Sequence, residues 1–338
     1  MSPVEREVSL LARMTENETL KILRRKRFRV VLLVLAVLLG VVVFAQDRQR
    51  KNAERDHPGR DWRGRAEARL GQMERRLAQQ RSLPPSWARW LRFETGRLKY
   101  HLEKNIDPDA VTGPLFCRTF AGVGSILLLP LLVAVLGADL VSSEFSEGTV
   151  TLLLTRPVAR WKVLLSKFAA MILFTTLTIL AAAALSWGIA GVAFGWKGWG
   201  APVVTGFRLT AAGFDVSGVR VLPLWQDAFA AWGLAWFSAL AVGGVTMLLS
   251  VVFRSTAAAM GTMMATLIGG TILSRVASDW EGAKWFFVSC LPLAEYYTGV
   301  PTPFPGMTLA FCAEVLAAWA FAATAFGFVV FIRRDVTA

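Results

Sequence analysis

Two carboxylates three residues apart, Glu144 and Glu147, lead into Gly148, Thr149 and an apolar stretch that closes on Arg156-Pro157. They lie where an apolar run meets a polar loop, a membrane boundary that has no need of acidic residues for topology. Gly148 can bend the chain, Thr149–Thr155 is a short helix candidate, and Pro157 ends it. Trp161 to Phe168 then leads into the next apolar run behind Lys162 and Lys167. The expected product is a short helix across the inner membrane face, able to pass force between a soluble partner and the membrane helices. An ordinary cytoplasmic loop fits the composition equally well.

Other ionisable groups sit near the ends of apolar runs, where they are functional candidates by default. Arg118 and Glu314 fall close to the outer ends of the second and sixth runs, and Asp227 precedes the fourth. They could pair or meet a substrate headgroup, but snorkelling to the interface is the expectation for each. Pro130 should kink the second helix. The sets Trp196/Trp199, Trp225/Trp232 and Trp280/Trp285 read as interfacial belts. Intramembrane catalysis would need a nucleophile and a base. Ser125, Ser166, Ser186 and Ser274 are present, but the two histidines, His57 and His101, lie outside the apolar runs, and no Gly-x-Ser-x-Gly or His-Glu-x-x-His occurs. Three cysteines, Cys117, Cys290 and Cys312, without a Cys-x-x-Cys pair indicate neither a disulfide framework nor a zinc site. No cofactor or metal is expected on this chain.

The elements that must position these groups are written in the hydropathy. Of 338 residues 54% are hydrophobic and only 18% charged, with a mean hydropathy of +0.48, whereas soluble domains carry about a quarter charged residues. Apolar runs at Phe28–Ala45, Leu115–Ala138, Phe168–Gly195, Ala228–Val252, Thr256–Leu273 and Thr308–Ile332 approach the roughly 20 residues that cross a bilayer. The first follows a long leader and is read as a retained helix rather than a signal peptide. The fifth, with Ala257-Ala-Ala-Met-Gly261 and Gly269-Gly270, is expected to pack centrally, because small residues let helices approach. The net charge of +13 is assigned to inner-face loops and anionic headgroups; no nucleic-acid motif accompanies it.

Lysine and arginine set the orientation. With the N-terminus inside, the short inner segments hold 14 basic residues against 5 in the short outer ones. The loop 46–114 carries 16 but is long enough to cross regardless of charge. Both termini are therefore expected in the cytoplasm. Loop 46–114 reads as an extracytoplasmic helical hairpin: Trp62, Ala66, Leu70, Met73 and Leu77, then Pro84-Pro85, then Trp87, Leu91, Leu98, Leu102 and Ile106. It is expected to cap the outer mouth, with a dedicated substrate or partner site as the alternative. Residues 1–27 read as an interfacial amphipathic helix with Val8, Leu11, Leu20 and Leu23 toward lipid. The expected fold is an all-α integral membrane protein: helix 1–27, a first span at 28–45, the hairpin, and a five-helix remainder over 115–338 with a coupling segment at 139–167.

The pattern Glu-x-x-Glu-Gly-Thr-x-x-x-Leu-Leu-x-x-Pro-x-x-Arg, here Glu144, Glu147, Gly148, Thr149, Leu153, Leu154, Pro157 and Arg160 with Lys167 closing it, resembles the signature of type-2 ABC transporter permeases. The interfacial helix, the six spans and the outer segment Leu291-Pro292-Leu293-Ala294-Glu295-Tyr296-Tyr297 agree with that family. Thr151 departs from it, standing where many relatives carry a second acidic residue, and loop 46–114 occurs only in some branches. The resemblance implies a dimer of permease subunits, homomeric or heteromeric, in a bacterial inner membrane, with two ATP-binding-cassette subunits on the cytoplasmic side. The segment Glu144–Arg160 would be the coupling helix, its carboxylates anchors rather than catalytic acids. No Gly-x-x-x-x-Gly-Lys-Ser/Thr occurs, so ATP and Mg would be bound by the partner ATPase. The expected function is export of an amphipathic or lipid-like substrate, the transported molecule itself not being legible. The alternatives are a mechanotransmission scaffold acting on an outer partner, or an intramembrane enzyme.

Overall fold

Val31, Leu35, Leu39 and Val43 recur every four residues and are all buried, while Val30, Leu33, Val37, Val41 and Phe44 stay exposed. This is the pattern of a helix with one face on protein and the others in lipid, and it forms α2 (Arg27–Asp56). The structure, a computed structural model, describes residues 3–24, 26–56, 61–78, 85–108, 110–149, 158–210, 213–276, 280–304 and 306–333. Ahead of α2 lies α1 (Pro3–Arg24); behind it come α3 (Trp62–Ala78) and α4 (Pro85–Lys104). Then follow α5 (Gly113–Ile126), α6 (Leu128–Gly137), α7 (Asp139–Ser146) and the long α8 (Arg160–Phe194). The remainder is α9 (Leu224–Val252), α10 (Thr256–Val276), the short α11 (Leu293–Tyr297) and α12 (Leu309–Arg333). Among the described residues six helical stretches are long and apolar enough to cross a membrane: Arg27–Asn52, Leu128–Ser146, Arg160–Phe194, Leu224–Val252, Thr256–Ser274 and Leu309–Arg333. The chain is a multi-pass, predominantly helical membrane protein.

Two expectations are corrected. The second run is not one kinked helix but two, broken at Leu127 with φ −144° and ψ −46°. Pro130 is the cause: its ring excludes the carbonyl four residues back and it has no N–H to give. By length and hydropathy the candidate stretch becomes Leu128–Ser146. The fifth helix, α10, is not central: Gly261 and Gly269 have open space beside them, and its protein face is Ala259, Met263 and Leu267. Its small residues are mostly on the outer side, the exceptions being Ala259 and Gly270, which lies against Phe286 and Val288. Short strands accompany the predominantly helical fold. The segment after α8 forms two antiparallel pairs, β1 (Pro202–Thr205) with β4 (Arg220–Pro223), and β2 (Arg208–Thr210) with β3 (Gly213–Asp215). β-branched residues face each other there (Val204 opposite Val221), and Gly206 and Gly213 supply the positive φ needed to turn.

Those strands build a cap with α3 and α4. Phe93, Val204 and Phe207 form its buried centre, joined by Tyr100, Ile106, Leu209 and Phe214. Ala66, Met73, Leu91 and Leu98 of the expected hairpin stripes are buried, whereas Trp87 is exposed. Lys99–Glu74 at 2.7 Å and Arg69–Glu94 at 3.3 Å brace the two helices. At the other end of the bundle, Arg160 donates to the Ile332 carbonyl at 3.2 Å, and Ser250 accepts from the amides of Val141 and Ser142 at 3.0 Å. The start of α8, the ends of α9 and α12 and the helix α7 therefore converge at that end.

Candidate functional site

Lys167 lies about two turns into α8 and is wholly buried. Its ammonium donates to Glu144 Oε1 at 2.7 Å, to Glu18 Oε2 at 2.9 Å and to the Leu140 carbonyl at 2.9 Å. All three donors of the ammonium are thereby used. Lys21, one turn beyond Glu18 on α1, donates to Glu18 Oε1 at 2.8 Å and to Glu144 Oε1 at 3.0 Å. Two carboxylates and two ammonium groups close a ring that joins α1, α7 and α8. A buried charge is tolerated only when paired and hydrogen-bonded in this way.

The ring has a second tier. Arg27, at the start of α2, meets Asp139 at 2.7 Å, and Asp139 also accepts from Thr256 Oγ1 at 3.3 Å. Ser142 donates to the Ala138 carbonyl at 2.5 Å and lies 3.0 Å from Thr256. Lys162 pairs with Glu7 at 2.6 Å, tying α1 to α8 a second time. One displacement of α7 would thus be felt by α1, α2, α8 and α10.

Burial by itself would raise the pKa of Glu18, but Lys167 and Lys21 outweigh it and the carboxyl is held below its ordinary range. Burial likewise works against the Lys21 ammonium, and Glu18 and Glu144 overcome it and raise its pKa.

α7 ends in the manner expected of a helix stop: the Glu147 amide donates to the Ser143 carbonyl at 2.9 Å, and Gly148 takes φ +69°. Thr149 Oγ1 reaches back to the Glu144 carbonyl at 3.5 Å. Leu153, Leu154 and Pro157, with most of the expected short helix, lie outside the described residues. Arg160 opens α8. Between α1 and the α7–α8 base is a cavity of about 630 Å³, lined among others by Arg13, Glu18, Lys21, Leu140, Glu144 and Glu147.

Arg118 and Asp227 do not snorkel. They form a buried ion pair between α5 and α9, Asp227 fully enclosed. Each keeps one atom, Arg118 Nη2 and Asp227 Oδ1, without a hydrogen-bond partner among the described residues. The Glu295 carboxylate packs against Gly122, one turn from Arg118; burial pushes its pKa up while Arg118 and Arg97 pull it down. Glu314 is exposed on α12 and is not part of this pair. Cys117 accepts from Ser186 at 3.4 Å. Among the described residues no three His, Cys, Asp or Glu side chains gather as metal ligands.

Glu18 escaped the sequence reading. The helix α1 turns Val8, Leu20 and Leu23 outward, as a lipid-facing stripe should, but its protein face carries Met14, Glu18 and Ile22. A carboxylate in register with Met14 and Ile22 is the signal that could have revealed it.

A family model described as "Protein of unknown function (DUF2705)" matches residues 107–337. The chain is similar to "Uncharacterized protein YhcI" of Bacillus subtilis (strain 168), 24% identical over 322 residues, covering 95% of this chain and 97% of that one. It is also similar to "Uncharacterized membrane protein YdbK" of the same organism, 28% identical over 213 residues, 62% of this chain and 78% of that one.

Proposed function

The chain belongs to the DUF2705 family, and we propose that it is the membrane-spanning subunit of an ATP-driven transporter of the type-2 ABC permease kind. The observation that carries the proposal is the burial of Glu144, the first residue of the coupling pattern, against Lys167, its last. A segment docked on an ATPase must be rigidly linked to the spans it is to move, and this ion pair, closed by Glu18 and Lys21, supplies such a link. The spans, the break after α7 at Gly148 and the convergence of helix ends beside it are consistent with a rigid-body switch between two states of the bundle.

In this reading both termini and the segment 139–167 are cytoplasmic, the α3–α4 cap is outside, and the membrane is the bacterial inner membrane. Two such subunits, identical or related, flank the pathway. The ATPase is a separate chain that binds ATP and Mg, and Glu147 and Thr149, at the mouth of the cavity, sit where it would dock. The cargo is amphipathic or lipid-like. Expressing the chain with the ATPase encoded beside it and purifying through a tag on one subunit tests the reading: a stable complex supports it, and an ATPase recovered only in the unbound fraction opposes it.

The cap favours one variant of the reading. Arg89 donates to the Pro303 carbonyl at 3.1 Å, and Phe207 packs on Gly299, so motion of the segment before α12 would be passed to α4. A subunit that relays motion to an outer partner would use this same connection.

A further inference from the structure

The cavity beneath α1 combines two chemistries on separate walls. Its apolar wall is Leu10, Met14, Ile22, Leu136, Val158 and Val163. Its rim carries Arg13, Asn17, Lys21 and Arg24, which follow one another at helical spacing along a single face of α1. Four carboxylates also line it: Glu18, Asp139, Glu144 and Glu147. Glu18 and Glu144 are neutralised by Lys167 and Lys21, and Asp139 by Arg27. Arg13 and Arg24 are exposed and engage no carboxylate among the described residues. Of the lining carboxylates only Glu147 is set against them, so the rim keeps a net positive charge over an apolar floor.

The surroundings say what could enter. Val8, Leu10, Leu20 and Leu23 of the same helix are all exposed, so α1 rests on or in the interface of a bilayer. α2, which follows after two residues, crosses that bilayer. The opening of the cavity is thus at headgroup level, where anionic lipids accumulate near basic residues. A volume of about 630 Å³ is within the ordinary range of a built ligand site. It takes a headgroup and the first part of an acyl chain, the rest of the chain continuing into the bilayer.

We propose that this cavity binds an anionic phospholipid of the leaflet that carries α1, its headgroup against the row Arg13–Asn17–Lys21–Arg24 and its upper chain along Met14, Leu136 and Val163. The lipid fills the space between α1 and the α7–α8 base and so stiffens the connection that the ion-pair ring begins. The site needs only a membrane at this end of the molecule, and it stands or falls independently of the ATPase.

The test is lipid retention by the full chain, extracted into mild detergent from membranes containing phosphatidylglycerol and phosphatidylcholine, with bound lipid counted by mass spectrometry. Wild type should retain phosphatidylglycerol in preference to phosphatidylcholine. The variant Arg13→Gln/Arg24→Gln should lower that retention roughly thirtyfold, the value of two juxtamembrane cations. Arg65→Gln/Arg75→Gln on α3, at the other end of the molecule, should leave it unchanged. A monodisperse elution and an unchanged helical circular dichroism spectrum establish that the Arg13/Arg24 variant is folded. Equal retention by wild type and the Arg13/Arg24 variant overturns the proposal, as does equal retention of the two lipids. Displacement of the lipid by millimolar inorganic phosphate also overturns it, because the cavity would then be a site for free anions.

Discussion

The ammonium of Lys167 stands 2.7 Å from the Glu144 carboxylate, with Glu18 of the first helix 2.9 Å away on its other side. The three residues come from α8, α7 and α1, so one buried cation fastens three separate helices. The pairing has an asymmetric energetics. Replacing the whole set by apolar groups costs little, whereas removing one member strands the others in a low-dielectric environment.

Lys167→Met should therefore destabilise the protein by about 3–5 kcal/mol, although methionine fills much of the same space. Glu18→Gln/Glu144→Gln/Lys167→Met should recover most of that loss. Thermal unfolding in detergent gives the comparison, and a triple variant no more stable than Lys167→Met would show that the ring is not the source of the effect.

The ring also has a pH window. Glu18 is held below its ordinary 4.5, so its contribution is complete above that value and is lost as the pH falls through the lowered one. Lys21 is raised above its ordinary 10.5, so its contribution is complete below that value and is lost as the pH rises through the raised one. Protection of α1 from limited proteolysis should thus be flat between about pH 5 and pH 10 and fall on both sides. Loss of protection near pH 7 would refute the assignment.

Arg118 and Asp227 make the same prediction in another part of the bundle. Arg118→Ala leaves a fully buried carboxylate and should cost about 3–5 kcal/mol, while Arg118→Met/Asp227→Leu should lie close to wild type. A double-mutant cycle on thermal stability reads the coupling. Additive effects would mean that the two side chains act independently.

Two glycines separate close approach from idle space. Gly299 has φ +94° and faces the Phe207 backbone, so Gly299→Ala should destabilise the cap by more than about 1 kcal/mol. Gly40 in α2 has nothing within 4 Å, and Gly40→Ala should stabilise by roughly 0.5–1 kcal/mol through helix propensity alone. Hydrogen exchange resolved by segment distinguishes the two.

Membrane spans were legible because lipid imposes a long apolar run, and no tertiary contact can erase one. Their ends were less so: α8 starts at Arg160 rather than Phe168, since the preceding polar turn is stabilised by partners outside the span, Glu7 and Ile332. The α3–α4 hairpin was visible in its period, but the strands over 202–223 were not, being short and punctuated by glycine within a segment read as a loop. Glu144 and Lys167 stood out by pattern. Glu18 did not, because its partner Lys167 is 149 residues away and only the folded chain brings them together. Arg118 and Asp227 were seen as candidates, yet nothing local distinguishes a snorkelling arginine from one whose acid lies 109 residues on.

If the segment after Glu144 couples this chain to an ATPase, nucleotide hydrolysis by the two co-purified proteins in lipid depends on that segment. Wild type should alter the ATPase's basal rate. Glu147→Ala, outside the buried ring, should abolish that effect while thermal stability is unchanged, and Glu144→Ala should abolish it with a loss of stability. If no ATPase associates, or if hydrolysis is the same with wild type and both variants, the coupling account is contradicted.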